Sequence, residues 1–134
     1  MFKYLLDTNI VIYVMKKRPI EVMDMFNQNA NRMAISAITF SELQHGAEKS
    51  ARIQENLSAI EEFTSLIDVL PYTAKASMHY GDIRAVLEKA GQTIGVNDLH
   101  IAAHARSDGL VLVTNNTHEF VRVPGLLVEN WVNV

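Results

Sequence analysis

Short oily runs alternate along the 134-residue chain with longer stretches whose apolar residues recur at helical spacing. "KYLLD" near the start reads as a strand and hands over to a helix spanning about 8–17. Pro19 opens a second helix through about 29, because its fixed φ suits a first helical turn. "RMAISAI" reads as a strand ending near 36–38. "TFSELQHGAEKS" and "ARIQENLSAIEEFTSLI" read as helices, the second with Ile53, Leu57, Ile60 and Leu66 near one face. "IDVL", stopped by Pro71, is a third strand, and a helix over 73–90 ends at Gly91. The loop "GQTIG" leads into a helix over 97–107 closed by Gly109. Strand "LVLVT" and a last short strand within "GLLVENW" complete the pattern, with no internal repeat and no low-complexity segment.

The strands are apolar throughout rather than alternating, as expected when both faces of a parallel sheet are covered by helices. In an open α/β sheet, ligands bind beyond the carboxyl ends of the strands. Polar residues fall at those places. Asp7 follows the first strand, Asn115 and Asn116 follow "LVLVT", and Glu42 and Asp98 stand where two helices open. Each has a purely structural explanation. Asp7 suits a turn or a helix cap, Glu42 completes a capping box with Thr39 in "TFSE", and Asp98 favours the helix dipole. Taken together they read differently, because acids sent to one sheet edge repel one another unless a cation sits among them.

Composition narrows the chemistry. A chain that is 49% hydrophobic suits one globular domain over 1–134. No apolar run approaches the roughly 20 residues of a membrane span, and "FKYLLD" meets a charge too early for a signal-peptide core, so a soluble cytoplasmic protein with no membrane partner is expected. There is no cysteine, which excludes disulfides, thiol nucleophiles and zinc-finger sites. With 12 basic and 15 acidic residues the net charge is −3, which argues against a general electrostatic grip on nucleic acid. Neutralising Asp7, Glu42 and Asp98 would balance the remainder, so a nucleic-acid partner is permitted but not demanded. Lys16, Lys17 and Arg18, and Lys49 with Arg52, read as solvated helix ends. Carboxylate and amide oxygens favour Mg²⁺ or Mn²⁺. The rival is "HIAAH", whose His100 and His104 share a helical face as in a zinc helix. It lacks the acid of HExxH, and Asp98 lies on another face. His45, His79 and His118 have no evident partners in the sequence.

"LLDTNIVIYVMKKRP", "AISAITFSELQHGAEKS", "TIGVNDLHIAAHARSDGLVLVTNNTHEF" and "LLVENW" occur in that order and together resemble PIN-domain ribonucleases, and within them the VapC toxins of bacterial toxin-antitoxin pairs. The resemblance runs nearly end to end. It implies an α/β/α sandwich with a central parallel sheet and an acidic pocket for Mg²⁺ or Mn²⁺, in which Asp7, Glu42 and Asp98 match the family's acids. Asn116 stands where many PIN domains have a fourth aspartate, which leaves that role to Asn116 or to nearby Glu119. Thr93 stands where many relatives have proline, a matter of loop stiffness. Thr8 and Asn9 are expected to brace Asp7 through turn hydrogen bonds, and Thr114 with Asn116 to hold the pocket.

The activity so implied is hydrolysis of structured RNA by water activated at the metal, with Glu42 orienting that water or acting as base. Likeness to the enterobacterial branch points to the anticodon loop of initiator tRNA, and hence to arrest of translation. The implied partners are a VapB antitoxin whose C-terminal segment fills a groove near the acids, a second toxin copy in a homodimer, and operator DNA reached only through the antitoxin. Met15, Met23 and Met25 on the early helices are candidates for lining that groove. Two other readings stand beside this one. In the first, a metal-free RNA- or protein-binding module uses the acids as helix caps; in the second, a DNA-directed nuclease cuts flaps, although such relatives carry DNA-gripping parts that this short acidic chain lacks.

Overall fold

The computed structural model describes residues 1–132. Its elements in chain order are β1 (Tyr4–Leu6), α1 (Thr8–Lys16), α2 (Ile20–Gln28), β2 (Met33–Ser36), α3 (Ala37–Glu48), α4 (Ile53–Thr64), β3 (Asp68–Leu70), α5 (Ala74–Lys89), α6 (Val96–Ser107), β4 (Val111–Val113), α7 (Thr117–Phe120) and β5 (Val128–Glu129). The five strands form one sheet in the order β3-β2-β1-β4-β5, and every pairing is parallel. Central strands β1 and β2 are buried at every position, as their unbroken apolar runs require. Edge strand β3 begins at the exposed Asp68.

Alternate strand residues enter opposite cores, the consequence of the two-residue repeat of a strand. Tyr4, Leu6, Met33, Ile35 and Val113 face α1 to α4, with Trp131 closing that layer edge-on against Tyr4 at 5.3 Å between ring centroids. Leu5, Ala34 and Leu112 face α5, α6 and α7, meeting Ile83, Leu87, Leu99 and Phe120. Helix α6 is buried on almost all sides, from Leu99 and Ile101 through Ala105 to Ser107. That explains why "HIAAHA" shows so little amphipathic contrast. The α/β sandwich with helices on both faces is therefore present as expected.

Several local readings need correction. Helix α3 starts at Ala37, with Ser36 as its cap and Ser36 Oγ accepting from the Ile38 N–H at 3.1 Å. Thr39 and Glu42 thus lie inside the helix and form no capping box. The serine caps first because it is itself the last ladder residue of β2, so the helix begins at the next residue. The turn α7 lay hidden in what read as loop, since four residues are too few to show a period. The final strand is only Val128–Glu129. The basic residues behave as solvated ends: Lys16, Lys17 and Arg18 are exposed, and among the described residues Arg52 pairs with exposed Glu55 at 3.3 Å. No described helix is long and apolar enough to cross a membrane.

Candidate active site at the carboxyl edge of the sheet

The chain leaves β1 toward β2 on one side of the sheet, while β4 pairs with β1 on the other. The crevice at such a reversal is where open α/β sheets bind ligands. Leu6 is in register with Val113, so the next residues, Asp7 and Thr114, face each other across that crevice. Asp7 also caps α1 in extended conformation, and it is only 4% exposed. Its Oδ1 accepts from the Thr8 N–H at 2.8 Å and its Oδ2 from the Thr114 hydroxyl at 2.8 Å. Burial nevertheless raises the Asp7 carboxyl above its ordinary range, with Glu42 and Glu119 adding repulsion and the two hydrogen bonds opposing.

Glu42 arrives from α3. Its Oε1 accepts from the Thr8 hydroxyl at 2.6 Å, its Oε2 from Asn97 Nδ2 at 3.2 Å, and Thr39 Oγ1 lies 3.1 Å from Thr8 Oγ1. Asp98 comes from the first turn of α6 and is half-buried. Its carboxyl is pushed up to about 6 by burial and then by the neighbouring charges of Asp7, Glu119 and Glu42, with no hydrogen bond offsetting the rise. Glu119 stands on α7, close enough for its charge to act on both aspartates.

The charges of Glu42 and Glu119 thus act on both Asp7 and Asp98 at this edge, with the four carboxylates brought in by the cap of α1 and by α3, α6 and α7. Thr8 belongs among them, although it ties Glu42 to α1 through its hydroxyl and meets Asp7 through its backbone. Asn9 does not: it is exposed, and its side chain makes no hydrogen bond among the described residues. Asn116 meets the site through its backbone: its N–H donates to Thr114 Oγ1 at 3.0 Å and its carbonyl accepts from the Glu119 N–H at 3.3 Å, while its side chain makes no hydrogen bond among the described residues. Asn97 is not singled out by the sequence, and Thr39 stands out there only as a capping-box partner. Nothing in it could pair Asn97 with a glutamate 55 positions away.

The imidazole alternative fails on geometry. His100 Nδ1 lies 2.8 Å from the Tyr72 hydroxyl, and its ring stacks on Tyr80 at 4.1 Å. His104 Nδ1 meets Ser36 Oγ at 2.7 Å. His79, unpartnered on paper, accepts from Arg106 Nε at 2.9 Å.

The PIN domain model matches residues 4–126. The chain belongs to the PIN-domain family. It is 56% identical to the ribonuclease VapC2 of Haemophilus influenzae over 98% of this chain and 100% of that one. It is 52% identical to the tRNA(fMet)-specific endonuclease VapC of Shigella flexneri, over 98% and 99%. A chain of the DNA-bound VapBC structure from Salmonella typhimurium superposes with a TM-score of 0.94 at 47% identity, covering 98% of this chain and 99% of that one. A VapBC2 chain from Rickettsia felis, bound to a promoter DNA fragment, gives 0.91 at 39% identity over 97% and 99%.

In this PIN domain the donor set suits a hard divalent cation: the atoms on offer are oxygens, chiefly of carboxylates, and Asp98 is a half-buried acid raised by burial and then by its neighbours' charges without a compensating hydrogen bond. Among the described residues no three acids or imidazoles are close enough to ligate one ion together. An ion bound in this arrangement would therefore take fewer than three of these side chains, with its remaining positions left to water and phosphate oxygens. Beside the acids a cleft of about 400 Å³ runs between α1, α3 and α4, lined by Thr8, Ile12, Met15, Glu42, Leu43 and Ile60 among others. A neighbouring groove is lined by Met15, Met23, Phe26 and Phe63. Met25 lines neither and packs against the core.

Proposed function

We propose that the chain is the toxin ribonuclease of a VapBC-type toxin-antitoxin pair, hydrolysing structured RNA with Mg²⁺ or Mn²⁺. The observation that carries this reading is the gathering of Asp7, Glu42, Asp98 and Glu119 about the β1/β4 crevice, where burial first, and then the charges of Asp7, Glu119 and Glu42, push Asp98 up to about 6. Such an arrangement is unfavourable by itself and relieved by a divalent cation, as expected of a site shaped by function rather than stability.

Asp7 and Asp98 would hold the ion. When bound, it supplies neutralisation of the scissile phosphate and acidification of water. Asp7 is fixed for this task by the Thr8 N–H and the Thr114 hydroxyl, each on a separate oxygen, so its carboxylate keeps one orientation. Glu42, tethered by Thr8 and Asn97, stands where it can orient a water and accept its proton. Glu119, rather than Asn116, takes the fourth acidic role, because its charge acts on both aspartates whereas Asn116 engages Thr114 through its backbone.

The substrate proposed is the anticodon loop of initiator tRNA, supported by the naming of the Shigella flexneri relative as a tRNA(fMet)-specific endonuclease; cutting it in the cytoplasm would stop translation. A VapB antitoxin is the proposed partner, with the apolar cleft beside Thr8 and Glu42 as the seat for its inhibitory segment. A homodimer, and DNA contact only through the antitoxin, complete the assembly.

The test is cleavage of synthetic initiator tRNA by the purified protein. Cutting with Mg²⁺ or Mn²⁺ that stops with EDTA, and stops in a folded Asp7→Asn variant, is the expected result. Cutting that survives both would eliminate the assignment, and RNA binding without any cutting would favour the metal-free module.

A further inference from the structure

Two of the site's acids ride on helices joined by one buried polar contact. Ser36 is fully buried and His104 is 1% exposed, yet Ser36 Oγ and His104 Nδ1 meet at 2.7 Å between the start of α3 and the third turn of α6. Since Ser36 Oγ already accepts from the Ile38 N–H, its hydroxyl hydrogen is free to go to Nδ1. That assigns the remaining proton of the neutral imidazole to Nε2, which faces Asp108 Oδ2 at 3.4 Å. The order serine, histidine, aspartate suggests a hydrolytic triad, but no substrate reaches a fully buried hydroxyl that is also a helix cap.

Its placement suggests another role. Glu42 lies six residues beyond Ser36 on α3, and Asp98 six residues before His104 on α6, so each acid stands about 9 Å along its helix from the joint. At the acids themselves Asn97 Nδ2 reaches across to Glu42 Oε2 at 3.2 Å. Two ties at different heights fix both the separation and the relative rotation of two rigid helices. An apolar pair would fill the same space with no directional demand and without loss of stability. A hydrogen bond instead admits one separation and one angle.

We propose that His104, through Ser36 at the junction of β2 and α3, is a positioning residue that fixes where α6 holds the Asp98 carboxylate in the site, and thereby the site's affinity for a divalent cation. This rests on the metal-dependent reading above. The experiment is Mn²⁺ titration by isothermal calorimetry, without RNA, of the wild-type protein, His104→Leu and His104→Asn, alongside thermal melting of each without metal. Leucine fills the space but cannot accept from Ser36; asparagine restores an acceptor near the Nδ1 position and leaves a gap. The expected result is an order crossed between the two measurements: His104→Leu melts at or above His104→Asn but binds Mn²⁺ about tenfold more weakly than wild type, while His104→Asn stays within about threefold.

Equal Mn²⁺ affinity in wild type and folded His104→Leu overturns the positioning role while leaving the metal site standing. No Mn²⁺ binding by the wild type removes the metal site itself, and the positioning role with it. If His104→Leu does not fold, Ser36→Ala carries the test, and a wild-type affinity there overturns the proposal.

Discussion

Replacing Asp98 by asparagine should make the metal-free protein more stable. In the folded chain this carboxyl is raised from 3.8 to about 6, so at neutral pH the fold must hold a charge it disfavours. A raised carboxyl pKa means that the folded state binds its proton more tightly than the unfolded state. The penalty is therefore fully present above about pH 6, shrinks as the pH falls toward 3.8, and is absent below it. The full rise corresponds to a ceiling of about 3 kcal/mol. Because the group is only half-buried, solvent screening reduces the expected gain to about 1 kcal/mol, which is about 4 °C in melting temperature for a chain of this size.

The assay is thermal melting of wild type and Asp98→Asn in EDTA at pH 7.5 and again near pH 4, then at pH 7.5 with saturating Mn²⁺. The variant should melt higher at pH 7.5 without metal, lose most of that advantage near pH 4, and fall behind once Mn²⁺ stabilises the wild type by binding its folded state. A variant no more stable than wild type at pH 7.5, or equally favoured at both pH values, would refute the repulsion argument.

Two further substitutions probe how the acids are held. Thr114→Val keeps the shape but strands Asp7 Oδ2 and the Asn116 N–H, so urea unfolding at pH 7.5 should show a loss of about 1–3 kcal/mol; a loss under 0.3 kcal/mol would mean that water replaces the hydroxyl freely. Glu119→Gln should weaken both Mn²⁺ affinity and RNA cleavage more than Asn116→Ala does, measured on the same preparation, and the reverse order would return the fourth role to Asn116.

The reach of sequence reading differed from element to element. Apolar runs such as "YLL" and "VLV" declared buried parallel strands because each residue must satisfy a core on its own face, a constraint written locally in residue type. Asp7 was legible for the same reason, as a charge breaking an oily run at a strand end. Helix α7 was not, being too short for periodicity, and the Thr39–Glu42 capping box was misread because Ser36 reached the helix start first.

By itself, then, the sequence determined the layers, the order of elements apart from α7 and which acids stand at strand and helix ends, and its likeness to PIN domains supplied the chemistry expected of them. Only the tertiary structure decided which groups share the crevice. It drew Glu119 in and left Asn9 out, joined Asn97 to Glu42, and buried His104 against Ser36. The physical reason is that hydrogen bonds and charge repulsion act through space over a few ångströms, between residues as many as 107 positions apart in the case of Asp7 and Thr114, whereas residue patterning carries information only over the few positions of a strand or a helical turn.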